Sequence, residues 1–118
     1  MICEIITFNV KVEKEKEFEE AIMAIVGKKE KLPSIKHIRL VKRTYREIDF
    51  SSMNRGDSPQ RLQRYVGRIV YILCLEIENE EQCGLILKKA TDKYYNMLSK
   101  YLTGLPKVTL GEEIFFRD

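Results

Sequence analysis

The stretch Tyr65–Ile77 reads YVGRIVYILCLEI, an apolar run broken only by Gly67, Arg68 and Glu76. One alternate row is Tyr65, Ile69, Tyr71, Leu73, Leu75 and Ile77; the other is Val66, Val70, Ile72 and Cys74, with Arg68 and Glu76 near its ends. A strand with one wet face alternates apolar with polar residues, whereas a strand apolar on both rows belongs in the middle of a sheet covered on both sides. The chain's own helices supply one cover. A second chain is the expected source of the other.

The remaining elements are arranged around this strand. Residues 2–12, ICEIITFNVKV, form a first strand with Ile2, Ile6, Phe8, Val10 and Val12 on its core face and Cys3, Ile5, Thr7, Asn9 and Lys11 on the other. Phe18, Ala21, Ile22, Ile25 and Val26 fall at helical spacing within Glu13–Lys31, which has acidic residues early and lysines late, as a helix dipole favours. Gly27 is a point where the regular helix can end, and Pro33 its last possible stop. Ile35–Phe50 is a ragged, charge-rich strand suited to a sheet edge, and Ser51–Arg64 is a long polar loop. After the central strand, Asn79 caps a second helix, with Gln82 three residues on. Its stripe is Leu87, Ala90, Tyr94, Met97, Leu98 and Tyr101, and Gly104 and Pro106 end it. Lys107–Arg117 is the last strand, with a bulge expected at Gly111.

The order β-α-β-β-α-β predicts one ferredoxin-like α+β domain spanning 1–118, a four-stranded antiparallel sheet with both helices on one face. The rows expected under the helices are Ile6/Phe8/Val10, Ile38/Leu40, Ile69/Tyr71/Leu73 and Leu110/Ile114. The opposite face then carries Ile5, Thr7, Asn9, His37, Arg39, Val41, Arg43, Arg68, Val70, Ile72, Cys74, Glu113 and Phe115, apolar at its centre and charged at its edges. An apolar patch of that size calls for a partner, and a two-fold homodimer is the commonest one.

Composition narrows the function classes. Residues 36–68 hold nine Lys and Arg against Glu47, Asp49 and Asp57, a local +6; with +3 for the whole chain, the rest stands at −3. An acidic ligand or partner would meet that segment. Cys3, Cys74 and Cys83 lack metal-type spacing and read as buried reduced thiols. No apolar run is long enough to span a bilayer, and the opening MICEIITF has neither a basic leader nor a cleavage site, so a cytoplasmic protein is expected. Abundant Lys and Glu with few Gln is the pattern of heat-adapted proteins. There is no Ser-His-Asp set, phosphate-binding glycine loop or metal-ligand cluster, so no metal or other cofactor is expected.

The opening IITFNVKVEKEKEFEEAI, the turn LPSIKHIRLVKR and the strand-to-helix run YILCLEIENEEQ resemble the dimeric α+β barrel superfamily, in particular its antibiotic-biosynthesis monooxygenase-like branch. The resemblance covers most of the chain through loose patterns. It implies two sheets packed face to face in a dimer, a ligand pocket between sheet and helices, and in several members oxidation of an aromatic substrate without metal or flavin. Haem-degrading relatives use an Asn near the end of the first strand, a Trp, and a His on the second helix. Asn9 matches loosely in place, but the chain has no Trp, and Glu80–Leu102 contains no His.

His37, the single histidine, is the candidate general base, although lone strand histidines are more often structural or solvated. Asn9 is the candidate for orienting a ligand oxygen; its plain alternative is bonding to a nearby backbone group. Tyr71 and Tyr94 are the expected pocket walls, with Tyr95 and Tyr101 nearby and Arg39 as a ligand-binding cation; such aromatics also serve as ordinary core. The competing reading is a non-catalytic interaction or RNA-binding domain using the basic second strand and loop. RNA-recognition domains share this topology, but they stack bases on aromatics where this chain has Ile5, Thr7, Val70 and Ile72.

Overall fold

The computed structural model describes residues 1–29 and 32–117. Strand β1 (Ile2–Val10) leads through a 3₁₀ turn (Val12–Lys14) into helix α1 (Glu15–Lys29). Strand β2 (Ile35–Lys42) follows, then a short helix α2 (Phe50–Arg55), strand β3 (Ile69–Ile77), helix α3 (Glu80–Ala90) with its continuation, and strand β4 (Lys107–Glu112). The sheet order is β2-β3-β1-β4 with every pairing antiparallel. This is the ferredoxin-like α+β arrangement, and the two most apolar strands occupy the central slots.

Burial follows the alternation. Ile69, Tyr71, Leu73, Leu75 and Ile77 of β3 are buried, while Val70, Ile72, Cys74 and Glu76 between them are half-buried. Phe18, Ile22 and Ile25 of α1, spaced for one helical face, close over Ile6, Phe8 and Val10 of β1 and over the buried β3 row. The Phe18 ring lies 4.8 Å from Tyr71 and 5.5 Å from Phe8, both tilted, as ring quadrupoles favour. Burying residues of this size contributes about 1.5–3 kcal/mol each, which makes this layer the main source of stability.

Several boundaries differ from expectation. β1 stops at Val10, and β2 stops at Lys42 instead of running to Phe50, leaving a single bridge from Tyr45 to Arg61 beyond it. β3 begins at Ile69, after Gly67, which turns the chain at φ 81°. α1 passes through Gly27 to Lys29, and its expected last residues, 30 and 31, lie outside the described residues. The loop contains α2, because the Asp49 carboxylate accepts the Ser52 N–H at 2.8 Å and Gly56 takes the left-handed conformation at its end. Gly111 pairs in register with Cys3, so the expected bulge is absent there; the irregularity falls between Ile35 and His37. β4 ends at Glu112, and neither Leu110 nor Ile114 joins the core; Leu110 instead lines an open cleft with Gly84 and Leu87 of α3.

Lys42 illustrates how the edge strand is fastened. Its register opposite Tyr71 places it on the helix side, where its ammonium bonds to Glu15 and, at 2.6 Å, to Glu19. The Tyr71 hydroxyl donates to the same Glu19 oxygen at 2.5 Å. Burial alone would raise the Glu19 pKa, but hydrogen bonds from Lys42 and Tyr71 and the Lys42 charge outweigh it and hold the carboxyl below its ordinary value. Burial likewise opposes the Lys42 ammonium, and its two carboxylate partners overcome this and push its pKa up. A lowered carboxyl pKa contributes stability above the unfolded value near 4.5 that is lost as pH falls through the folded value. Lys42→Met leaves two half-exposed carboxylates facing each other and is expected to cost roughly 1–3 kcal/mol in urea unfolding, with the acid transition moved to higher pH.

Candidate functional site

The second long helix is where the fold departs from regular geometry. It starts as the sequence predicts, with the Asn79 side chain accepting the Gln82 N–H at 2.9 Å and Glu80 and Glu81 in the first turn. After Ala90 it widens into a π turn over Thr91–Tyr95, returns to α geometry at Asn96–Leu98, and tightens to 3₁₀ at Ser99–Tyr101. Met97, expected in the apolar stripe, is consequently exposed, and Leu98 is the buried residue. Its far end is held to the sheet: Leu102 bridges Val10, Lys11 N–H donates to Tyr101 O at 2.8 Å, and Thr103 N–H donates to Asn9 O at 2.8 Å. π turns are uncommon and concentrate at functional sites, where they open space beside a helix.

Such a space lies directly beneath it. An apolar cavity of about 100 Å³ separates the π turn from the sheet, walled by Tyr94, Tyr95, Phe8, Ile22, Leu73 and Leu98. No Asp, Glu, His, Lys or Arg lines it among the described residues. The Thr91 hydroxyl donates to Leu87 O at 2.9 Å, and the other polar side chains among the lining residues are those of Tyr94 and Tyr95. A second cleft of about 280 Å³ opens on the other side of the same helix, between it and the end of α1, and shares Ala90 and Tyr94 with the first.

The sequence-predicted residues do not converge. Tyr94 lines the cavity, and Tyr95 joins it. Tyr71 is buried against Phe18, with its hydroxyl on Glu19, and is not among the cavity walls. Burial, and then the Glu19 hydrogen bond and charge, push its phenol pKa up, so it stays a neutral donor. His37 is exposed on the helix-free face, 3.7 Å from Glu76 and stacked on Phe116 at 6.1 Å. Asn9 sits on that face opposite Val70, and Arg39 opposite Cys74. Because Asn9 faces Val70 and His37 faces Glu76, they are separated by six residues of β3, or about 20 Å.

Two inward carboxylates escaped the sequence reading. Glu4 is fully buried, with the Cys83 thiol 3.7 Å from its Oε2, and burial followed by the Glu4 charge pushes that thiol's pKa up. Glu19 is the other. Strict period-two counting from Ile2 and Ile6 places Glu4 on the core face, whereas a π turn has no comparable signature.

With this geometry in view, comparison with known proteins adds the fold's wider membership. No protein-family profile and no curated protein matches the chain. Solved structures do. A conserved protein from Methanosarcina mazei Go1 superposes with a TM-score of 0.64 at 14% identity, covering 95% of this chain and 91% of that one. A protein described as a candidate antibiotic biosynthesis monooxygenase from Bordetella bronchiseptica gives 0.61 at 16% identity, with 97% of each chain covered. A protein described as an ethyl tert-butyl ether d (ethd) family protein from Bacillus halodurans gives 0.52 at 15% identity, covering 97% of this chain and 100% of that one. The chain therefore has the ferredoxin-like fold that antibiotic biosynthesis monooxygenase structures share.

If the π turn holds the cavity open, deleting Asp92, an exposed residue paired with Lys88 at 2.8 Å, restores α-helical phasing. The expected result is a melting temperature no lower than that of the parent together with loss of fluorescence from an apolar dye in the cavity.

Proposed function

We propose that the chain is a small-ligand-binding protein that holds an apolar, aromatic molecule between sheet and helices, with cofactor-independent oxygenation of that molecule as its activity. The observation that carries this reading is the apolar cavity under the π turn, walled by Tyr94, Tyr95 and Phe8. The shared fold of structures described as antibiotic biosynthesis monooxygenases supports it. A cavity without an acid or base leaves the protein to desolvate and orient a substrate that supplies its own electrons. Dioxygen is then the oxidant, one oxygen atom entering the product and the other leaving as water. Oxygen uptake with a quinol substrate checks this: Tyr94→Phe together with Tyr95→Phe, which removes groups that would orient the substrate, should lower kcat/KM by about tenfold or more, and His37→Ala, remote from the cavity, should leave it unchanged. Absence of both turnover and binding would end the proposal.

The same reading includes a homodimer through the helix-free face. That face stays partly open within one chain: Ile5 is 37% and Val41 44% exposed beside half-buried Thr7, Val70, Ile72 and Cys74. Past β4 the chain reaches the rim of this face, where Phe116 meets His37, and it leaves Ile114 97% and Phe115 79% exposed. Apolar surface of this extent favours a second copy. Light scattering at micromolar concentration should report a dimer, and Ile72→Asp should convert it to a folded monomer, since an unpaired buried charge costs several kcal/mol. The nucleic-acid reading has weaker support. Lys36, Lys42 and Arg43 of the basic segment are engaged by Glu78, by Glu15 and Glu19, and by Glu47.

A further inference from the structure

The cleft beside the apolar cavity has a charge pattern that the cavity lacks. Its lining includes apolar Leu85 and Ile86 and the shared Ala90 and Tyr94, together with Lys28, Lys89 and Lys93, and no carboxylate among the described residues. Lys28 stands at the end of α1, where any lysine offsets the helix dipole. That explanation does not extend to Lys89 and Lys93. They lie four residues apart on one helix face, where like charges repel by a few tenths of a kcal/mol. The neighbouring Lys88 is relieved by Asp92, but neither Lys89 nor Lys93 is in an ion pair among the described residues. The Lys93 ammonium sits 5.5 Å from the centre of the Tyr94 ring, the wall common to both spaces.

Size points the same way. Sites for small molecules occupy about 300–1,000 Å³. The cavity alone, at about 100 Å³, is too small, and the cleft alone, at about 280 Å³, falls just short. Displacement of the Tyr94 side chain would join them into one space within that range, apolar at its inner end and cationic at its mouth.

We propose that the ligand is an amphipathic aromatic monoanion, its ring system in the cavity behind Tyr94 and its carboxylate or similar anionic group on Lys89 and Lys93. This rests on the cavity being a ligand site and adds the chemical class of the ligand. It also places recognition of charge on the outer side of the helix, away from the basic β2 strand and its following loop.

Two dyes with the same rings separate the claims: anilinonaphthalene sulfonate, which is anionic, and phenylnaphthylamine, which is neutral. The sulfonate should bind more tightly to the parent protein, and Lys89→Glu with Lys93→Glu should weaken it by about tenfold or more while changing phenylnaphthylamine by less than about twofold. Arg46→Glu with Arg64→Glu makes the same change in net charge away from the cleft and should leave both dyes within about twofold. Ala90→Phe fills the shared wall and should abolish binding of both. If phenylnaphthylamine binds and the lysine reversals do not discriminate between the dyes, the anionic ligand is wrong and the cavity reading stands. If neither dye binds the parent protein, both fall.

Discussion

A four-stranded sheet has two faces, and this chain has helices for one. That constraint governs the rest of the molecule. β3 is apolar on both rows and lies between β1 and β2, so its inward row builds the core while Val70, Ile72 and Cys74 of its outward row are half-buried. The inward row meets Phe18, Ile22 and Ile25 in a layer from which water is excluded.

Within the covered layer the polar groups act as fasteners. Lys42, Glu19 and Tyr71 join β2, α1 and β3 through one carboxylate oxygen. An edge strand makes ladder hydrogen bonds on one side only, and this contact ties it to the helix layer as well. The cluster is half-exposed at its carboxylates, so water screens part of its strength, and its value lies as much in fixing where α1 lies as in free energy.

The helix layer is not packed evenly. α1 presses Phe18 and Ile22 fully into the sheet, whereas the second long helix lifts away at Thr91–Tyr95 and is drawn back by Leu98 and Leu102. Both of its ends are secured, by the Asn79 cap and by the hydrogen bonds to the end of β1. The widening is thereby confined to the middle, where it shapes the cavity and turns Tyr94 and Tyr95 into its walls. A binding site placed between two fixed points can change its contents without loosening the fold.

Alternation along β1 and β3, helical spacing in α1, and the Asn79 and Gln82 start of the second helix were enough for the order of the main elements, the sheet order and the face that β1 and β3 bury. These are local periodicities, and the core merely rewards them. Strand ends were misjudged where charge made the pattern ragged, as from Arg43 to Phe50. Asn9 and His37 share a face, but they stand on strands separated by β3 and six residues apart along it, a distance that only the pairing register reveals. The inward role of Lys42, the departure of Tyr71 from the cavity wall and the π turn were decided by tertiary structure alone. Each depends on what a side chain meets across the layer, and neither a period nor a propensity contains that.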